Sequence, residues 1–319
     1  MKVALAGATG VLGRALVPQL LAAGHAVRCL VRDVEKAERL WKAMPGWEAG
    51  SRLETVRCDL LESGVEARMV SLLEGCDAVI HAATAIPEDA KASGAWDRNT
   101  QIRTRGTGRL QRAALEAGVN CFLAQSVVMG YRDGGEAWLD ESAPLDKTPE
   151  RAHVCQAVAI VESMMRLFRH QQREVRWVVL REGYFVGPGT GQERQIEQLR
   201  EGKKIIAGDG ANWISPVHVE DAAAAYVMAL ERAPAGSTFN ICDEPIRYRE
   251  YIEHLAELVG GPRPRVDLSK PRPSSFRCSN QKAREVLRWK PVQGVWPEVG
   301  REWKRRGDCE AMFESSRGK

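Results

Sequence analysis

The sequence predicts an α/β protein: a doubly wound parallel sheet with a smaller C-terminal lobe. Three observations carry that expectation. Residues Lys2 to Ala6 form a short apolar run that passes at once into Gly7-Ala8-Thr9-Gly10-Val11-Leu12-Gly13, the pattern of a buried strand turning tightly into a helix. Short apolar runs then alternate with amphipathic stretches through the first half, a βα rhythm that demands helices on both faces of a parallel sheet. After Gly183 the rhythm yields to Gly187-Pro188-Gly189-Thr190-Gly191 and to segments punctuated by Pro262, Pro264, Pro271 and Pro273.

Taken in order, strands are expected at Lys2 to Ala6, Ala26 to Val31, Glu54 to Cys58, Ala78 to His81, Cys121 to Gln125 and Arg176 to Arg181. Helices are expected from Leu12 to about Ala23, around Val34 to Ala43, near Glu66 to Leu73, from Trp96 to Ala117, and from Pro149 to roughly Arg169. Thr148-Pro149-Glu150 supplies an N-cap, N1, N2 start for the last of these. Residues 1–182 therefore form the larger domain, to which elements near 213–242 return, among them a strand at Thr238 to Cys242. Residues 183–319 form the smaller lobe, in which only the last dozen residues look frayed.

Composition narrows the classes. With 319 residues and 44% hydrophobic side chains the chain fills a sizeable core and is not a disordered segment. The net charge of +4 arises from 46 basic and 42 acidic residues, and the excess is scattered without aromatic interleaving. That reads as a solvated face and not as a nucleic-acid surface. Eight Cys occur with no C-x-x-C spacing, and Cys29, Cys58, Cys121 and Cys242 fall inside apolar runs, as small buried hydrophobes do in a reducing compartment. Neither a disulfide framework nor a zinc site is laid out. A first strand at residue 2 and the lack of any apolar run of about 18 to 20 residues predict a cytoplasmic protein with no membrane span.

The glycine turn is expected to cradle a diphosphate. Gly7 permits a sharp exit from the strand, Gly10 a close backbone approach, and Gly13 tight packing of helix on sheet. The helix N-terminus adds free N–H groups and about half a positive charge. Gly7, Thr9, Gly10, Val11, Leu12 and Gly13 are thus the expected contacts of a Rossmann-type dinucleotide site. Its preference is read where the second strand ends, at Leu30-Val31-Arg32-Asp33. An acidic residue there would take the ribose hydroxyls of NAD(H), whereas Arg32 directly after the non-acidic Val31 favours the extra phosphate of NADP(H). Asp33 keeps NAD(H) as the lesser alternative.

These strings together resemble the extended and atypical short-chain dehydrogenase/reductases, in the NAD-dependent epimerase/dehydratase branch, over about residues 1 to 290. Gly7 to Gly13 is similar to the family's G-x-x-G-x-x-G, Cys58-Asp59-Leu60 to its adenine-contacting segment, and His81-Ala82-Ala83, with Thr84 following, to its stretch along the cofactor. Gly106-Thr107, Gly187-Pro188-Gly189 and Pro216-Val217-His218-Val219-Glu220-Asp221 resemble further family signatures. The resemblance implies a homodimer built on the two long helices, and a small-molecule substrate held by the lobe.

The same resemblance exposes a gap. The family works through a Tyr and Lys at Y-x-x-x-K spacing, helped by a Ser or Thr and an Asn. Counting back from Glu162, which resembles the acidic residue eight positions after that Tyr, gives Val154 and Val158. Arg103 stands where the Asn is usual, and no other Y-x-x-x-K exists in the chain. A Lys lowers the Tyr pKa so that the phenol can exchange a proton during hydride transfer, and Val does neither. Ser126 remains, at the end of its strand, as the group expected to bond a carbonyl. His153, Cys155, Tyr131, Tyr184 and His218 are candidate proton sources, with Ser126, Tyr184 and His153 the expected catalytic set. Trp96, Trp138, Trp177, Trp213, Trp289 and Trp296 serve either core packing or an apolar pocket. Three activities stay open: an NADP(H)-dependent oxidoreductase with a non-standard proton donor, a catalytically silent NADPH-binding protein, and a non-redox isomerase or cyclase.

Overall fold

The computed structural model describes residues 1–44, 52–89, 92–168 and 175–297. The chain order is β1 (Lys2–Ala6), α1 (Val11–Ala22), β2 (Ala26–Val31), α2 (Val34–Lys42), β3 (Leu53–Arg57), α3 (Val65–Leu73), β4 (Ala78–His81), α4 (Asp97–Gln101), α5 (Thr107–Glu116) and β5 (Cys121–Val127). There follow β6 (Trp138–Leu139), α6 (Ala152–Phe168), β7 (Arg176–Glu182), β8 (Tyr184–Val186), α7 (Gly191–Arg200), β9 (Ile205–Ala207), β10 (Trp213–Ile214), β11 (Pro216–His218) and α8 (Val219–Arg232). The remainder is β12 (Ser237–Ile241), β13 (Ile246–Arg247), α9 (Tyr248–Leu258), β14 (Arg265–Asp267) and β15 (Arg277–Cys278).

Seven strands form one parallel sheet in the order β12-β7-β5-β4-β1-β2-β3. β1 and β4 lie inside it and are apolar on both faces, which is why Val3 to Ala6 and Ala78 to Ile80 read as unbroken hydrophobic runs. One face packs on α1 and α8, with Leu16, Val17, Leu20, Ala222 and Tyr226 in a single core. The other packs on α3, α5 and α6 through Met69, Leu110, Val161, Met165 and Phe168. Each such fully buried side chain contributes on the order of 1.5 to 3 kcal/mol.

Two local outcomes differ from the sequence expectation. The helix expected from Trp96 to Ala117 is interrupted by a π turn at Ile102–Gly106, where the backbone widens and turns Arg103 inward. The helix expected from Pro149 opens instead with a 3₁₀ turn, Pro149–Arg151, and the Thr148 side chain makes no cap; the Thr148 N–H goes to Asp146. The strand expected at Thr238 to Cys242 lies at Ser237–Ile241 and returns to the main sheet as its outer strand. The expected continuation to Arg169 and the frayed terminus fall outside the described residues.

The smaller lobe is built from α7, α9 and two-stranded ladders, β9 with β14 and β10 with β13, around Val186, Ile196, Leu199, Tyr251 and Leu255. Trp296 stacks on Tyr251 there. Trp177 and Trp289 are core residues, and Trp138 and Trp213 sandwich the Arg277 guanidinium at 4.3 and 4.5 Å, so most of the tryptophans serve packing. No described helix is long and apolar enough to cross a membrane.

Candidate active site

The cradle follows from backbone geometry. Gly7 has φ +97°, and a Cβ on it would sit 2.6 Å from the Ala82 carbonyl and the Ala83 nitrogen. A Cβ on Gly13 would stand 2.2 Å from the Gly7 oxygen. Gly10 closes the turn through its N–H to the Gly7 carbonyl and is the exposed N-cap of α1, with no side chain capping the first turn. The site is therefore a bare backbone concavity at a helix N-terminus, with Thr9 and Val11 half-buried at its edge and Leu12 buried beneath. That geometry fits the diphosphate of a dinucleotide.

The second-strand end distinguishes its two charged residues. Asp33 is the N-cap of α2, its carboxylate accepting the Lys36 N–H at 2.9 Å. Arg32 is exposed and makes no ion pair among the described residues. Just after β3, Asp59 accepts the Leu61 N–H at 2.9 Å and faces Arg98 at 4.0 Å, while Leu60 is buried. Ala82 is tied to β1 through the Ala6 carbonyl, and Ala83 and Thr84 are half-buried beyond it. His81 is held neutral: burial lowers its pKa to about 4, its Nε2 donates to the Ile102 carbonyl, and its Nδ1 accepts from the Ala83 N–H. It thereby ties the π turn to the end of β4.

The far end of the sheet is organised by register. β5 and β7 pair Ser126 with Arg181 and Val127 with Glu182, so Ser126 and Arg181 share the α6 face while Gln125 and Glu182 share the α8 face. On the α6 face Glu162 receives Arg181 at 2.8 and 2.7 Å through both carboxylate oxygens, and Ser126 donates to the same carboxylate at 2.8 Å. Arg181 also donates to the Tyr131 hydroxyl, which donates onward to Asn240 at 2.7 Å. On the α8 face Glu182 accepts from Gln125 at 2.5 Å and from Tyr226 at 2.7 Å. Burial raises the Glu182 carboxyl to about 7, although both donors and the nearby Arg103 oppose the rise. Arg103 itself is buried, with its guanidinium donating to the Gln125 carbonyl at 3.3 Å over the end of β5.

The three expected catalytic side chains are not brought together. Ser126, the group expected to bond a carbonyl, is 0% exposed, and its hydroxyl donates to Glu162. His153 is exposed on the first turn of α6, its ring 5.5 Å from that of Trp96. Tyr184 belongs to the small lobe, hydrogen-bonded to Gln195, and burial pushes its phenol up to about 12. Val154 is half-buried and Val158 buried, the latter packing on Gly130. Of the other candidates, Tyr131 is locked between Arg181 and Asn240, Cys155 points at the Met129 carbonyl, and His218 accepts the Glu220 N–H at the start of α8.

Sequence reasoning missed the Arg103, Gln125, Glu182 and Tyr226 group. Its one visible sign was Arg103 in place of the family's Asn; the pairing of Gln125 with Glu182 needs the strand register.

Comparison with known proteins agrees with this geometry. The model of the NAD dependent epimerase/dehydratase family matches residues 3–242. A 3-diazoavenalumate denitrifying reductase from a Streptomyces species is 32% identical, the alignment covering 95% of this chain and 100% of that protein. A 2-alkyl-3-oxoalkanoate reductase from Stenotrophomonas maltophilia is 27% identical, over 82% of this chain and 77% of the relative. Among solved structures, a dTDP-glucose 4,6-dehydratase double mutant from Streptomyces venezuelae, with NAD and DAU bound, superposes with a TM-score of 0.80 at 21% identity, covering 99% of each chain. The cradle at β1, the seven-stranded parallel sheet and a family match over three quarters of the sequence lead to one conclusion: the chain belongs to the NAD-dependent epimerase/dehydratase family of short-chain dehydrogenase/reductases.

Proposed function

We propose that this protein is an NADP(H)-dependent reductase of a small aromatic acid whose nitrogen leaving group departs on hydride transfer. The observation that carries the reading is the lack of a free proton donor where the family has one. Val154 and Val158 occupy the Tyr and Lys positions, the Ser126 hydroxyl is bound to Glu162, and the Tyr184 phenol is too weak an acid at neutral pH. An acceptor that needs no proton resolves the difficulty. Gly7, Gly10 and Gly13 would hold a reduced dinucleotide that would supply hydride, and an arenediazonium accepting it would exchange its C–N bond for C–H and release N₂ with no proton consumed. The 32%-identical relative, a denitrifying reductase of 3-diazoavenalumate by its name, supports that acceptor class.

In this reading the chain's own work is to bind and orient. Gly7, Gly10 and Gly13 admit the diphosphate, Arg32 pairs with the additional phosphate, and Asp33 spends one carboxylate oxygen on capping α2. His81, neutral and doubly hydrogen-bonded, fixes the wall between β4 and the π turn. Carbonyl reduction is the second reading, favoured by His153, which is exposed one residue before Val154 and able to carry a proton.

The deciding experiment follows oxidation of NADPH with a diazotised aminocinnamic acid and, separately, with a matched ketone. Turnover of the diazonium acid with N₂ release and no solvent deuterium isotope effect is expected. Ser126→Ala should keep that rate within roughly twofold. Turnover confined to the ketone, with a solvent isotope effect and loss of rate in His153→Ala, would move the assignment to carbonyl reduction.

A further inference from the structure

The small lobe holds a cation for which the described residues provide no counter-charge. Lys204 follows α7 in a turn fixed by two N–H groups, its own and that of Lys203, both donating to the Gln198 carbonyl. Lys203 points out and pairs with Glu201 at 3.1 Å. Lys204 is half-buried instead, with Nζ 5.9 Å from the centroid of the Tyr248 ring, and it makes no ion pair among the described residues. Burial and the positive charge of Arg194 both lower its pKa, and no acidic group acts against them. Among the described residues Arg194 donates to a backbone carbonyl, that of Glu88, at 3.4 Å, which joins this part of the lobe to the loop after β4.

The neighbours are equally incomplete. Gln195 is 8% exposed and bonded to Tyr184, yet its Oε1 has no hydrogen-bond partner. Tyr184 and Tyr248 are half-buried and near enough to influence each other electrostatically. A partly desolvated ammonium beside a second cation is unfavourable unless an anion completes the site. The Tyr248 ring beside the ammonium, with Tyr184 near Tyr248 in turn, suits a flat, conjugated stem, and the Gln195 acceptor suits a hydroxyl or N–H on it.

We propose that Lys204, with Arg194 beside it and Tyr184 and Tyr248 alongside, holds the carboxylate of an aromatic acid substrate. The proposal rests on the reductase reading and specifies which end of the substrate the lobe grips. The test is calorimetric titration of the full chain, with and without NADPH, using cinnamate and cinnamamide as probes. Cinnamate should bind about tenfold or more tightly than the amide. Lys204→Met should remove that preference while leaving cinnamamide affinity, NADPH affinity and melting temperature unchanged, and Lys204→Arg should restore most of it.

Equal binding of acid and amide, or an unchanged preference in Lys204→Met, overturns the site. A separate assay with an arenediazonium that lacks a carboxylate keeps the two ideas apart. If that compound is reduced but the acid shows no preference, the carboxylate site alone falls. If it is not reduced while cinnamate selectivity survives and depends on Lys204, the site stands and the hydride chemistry falls.

Discussion

The two ends of the sheet treat polar groups in opposite ways. At the glycine turn after β1, the first-turn backbone groups of α1 have no side-chain cap and Arg32 has no ion-pair partner among the described residues. At the ends of β5 and β7, Ser126, Glu162, Arg181, Gln125, Glu182 and Tyr226 are buried and hydrogen-bonded in two clusters, although the Gln125 Oε1 has no partner among the described residues. Unsatisfied groups that face solvent are available to a ligand, whereas hydrogen-bonded buried ones hold the fold. In this chain, then, the glycine turn presents open backbone groups, while the ends of β5 and β7 carry a buried hydrogen-bonded network.

The sharpest way to break the contrast is at the cradle itself. Gly13→Ala drives a Cβ to 2.2 Å from the Gly7 oxygen, so neither fold nor cradle can keep its shape. The expected loss is above ~5 kcal/mol, read by urea denaturation, or failure to accumulate folded protein. At the opposite end, Arg181→Met takes the two-point partner from buried Glu162 and leaves it only the Arg166 guanidinium at 3.7 Å among the described cations. That should cost about 3 to 5 kcal/mol, and adding Glu162→Leu should recover much of it. A double variant as unstable as the single one would show that the pair itself, and not the orphaned charge, dominates.

A smaller effect follows from Glu182. Its carboxyl titrates near 7 in the native state against 4.5 when unfolded, so between those values the native state holds the extra proton. Stability should fall as pH rises from about 4.5 to 7 and level off above, a change of roughly 3 kcal/mol. Glu182→Gln should flatten that part of the stability profile; an unaltered slope would mean the carboxyl is ionised throughout. Smallest is Arg32→Ala, which should weaken NADPH binding by about 1.5 to 3 kcal/mol and leave NADH binding nearly unchanged. Equal losses for both nucleotides would remove the phosphate role from Arg32.

Legibility in the sequence followed the same division. β1, β2 and β4 were readable almost to the residue, because buried strands of a parallel sheet need continuous apolar runs and little else could satisfy them. The π turn was not, since nothing in Ile102 to Gly106 departs from helical patterning; it depends on Thr107 bonding the Arg103 carbonyl and on His81 holding Ile102. Ser126 was found as a strand-end hydroxyl, but its partner Glu162 lies 36 positions away and is supplied by packing of α6 on β5.

By itself, then, the sequence determined the α/β class, the phosphate-binding turn and the loss of the Tyr and Lys pair, because each is a local property of residue type and spacing. Only the tertiary structure decided that Asp33 caps a helix while Arg32 makes no ion pair among the described residues, that Ser126 faces Glu162, and that Lys204 lies half-buried near the Tyr248 ring. Those outcomes depend on strand register and on which helices meet across the sheet, and such long-range contacts leave no period in the chain.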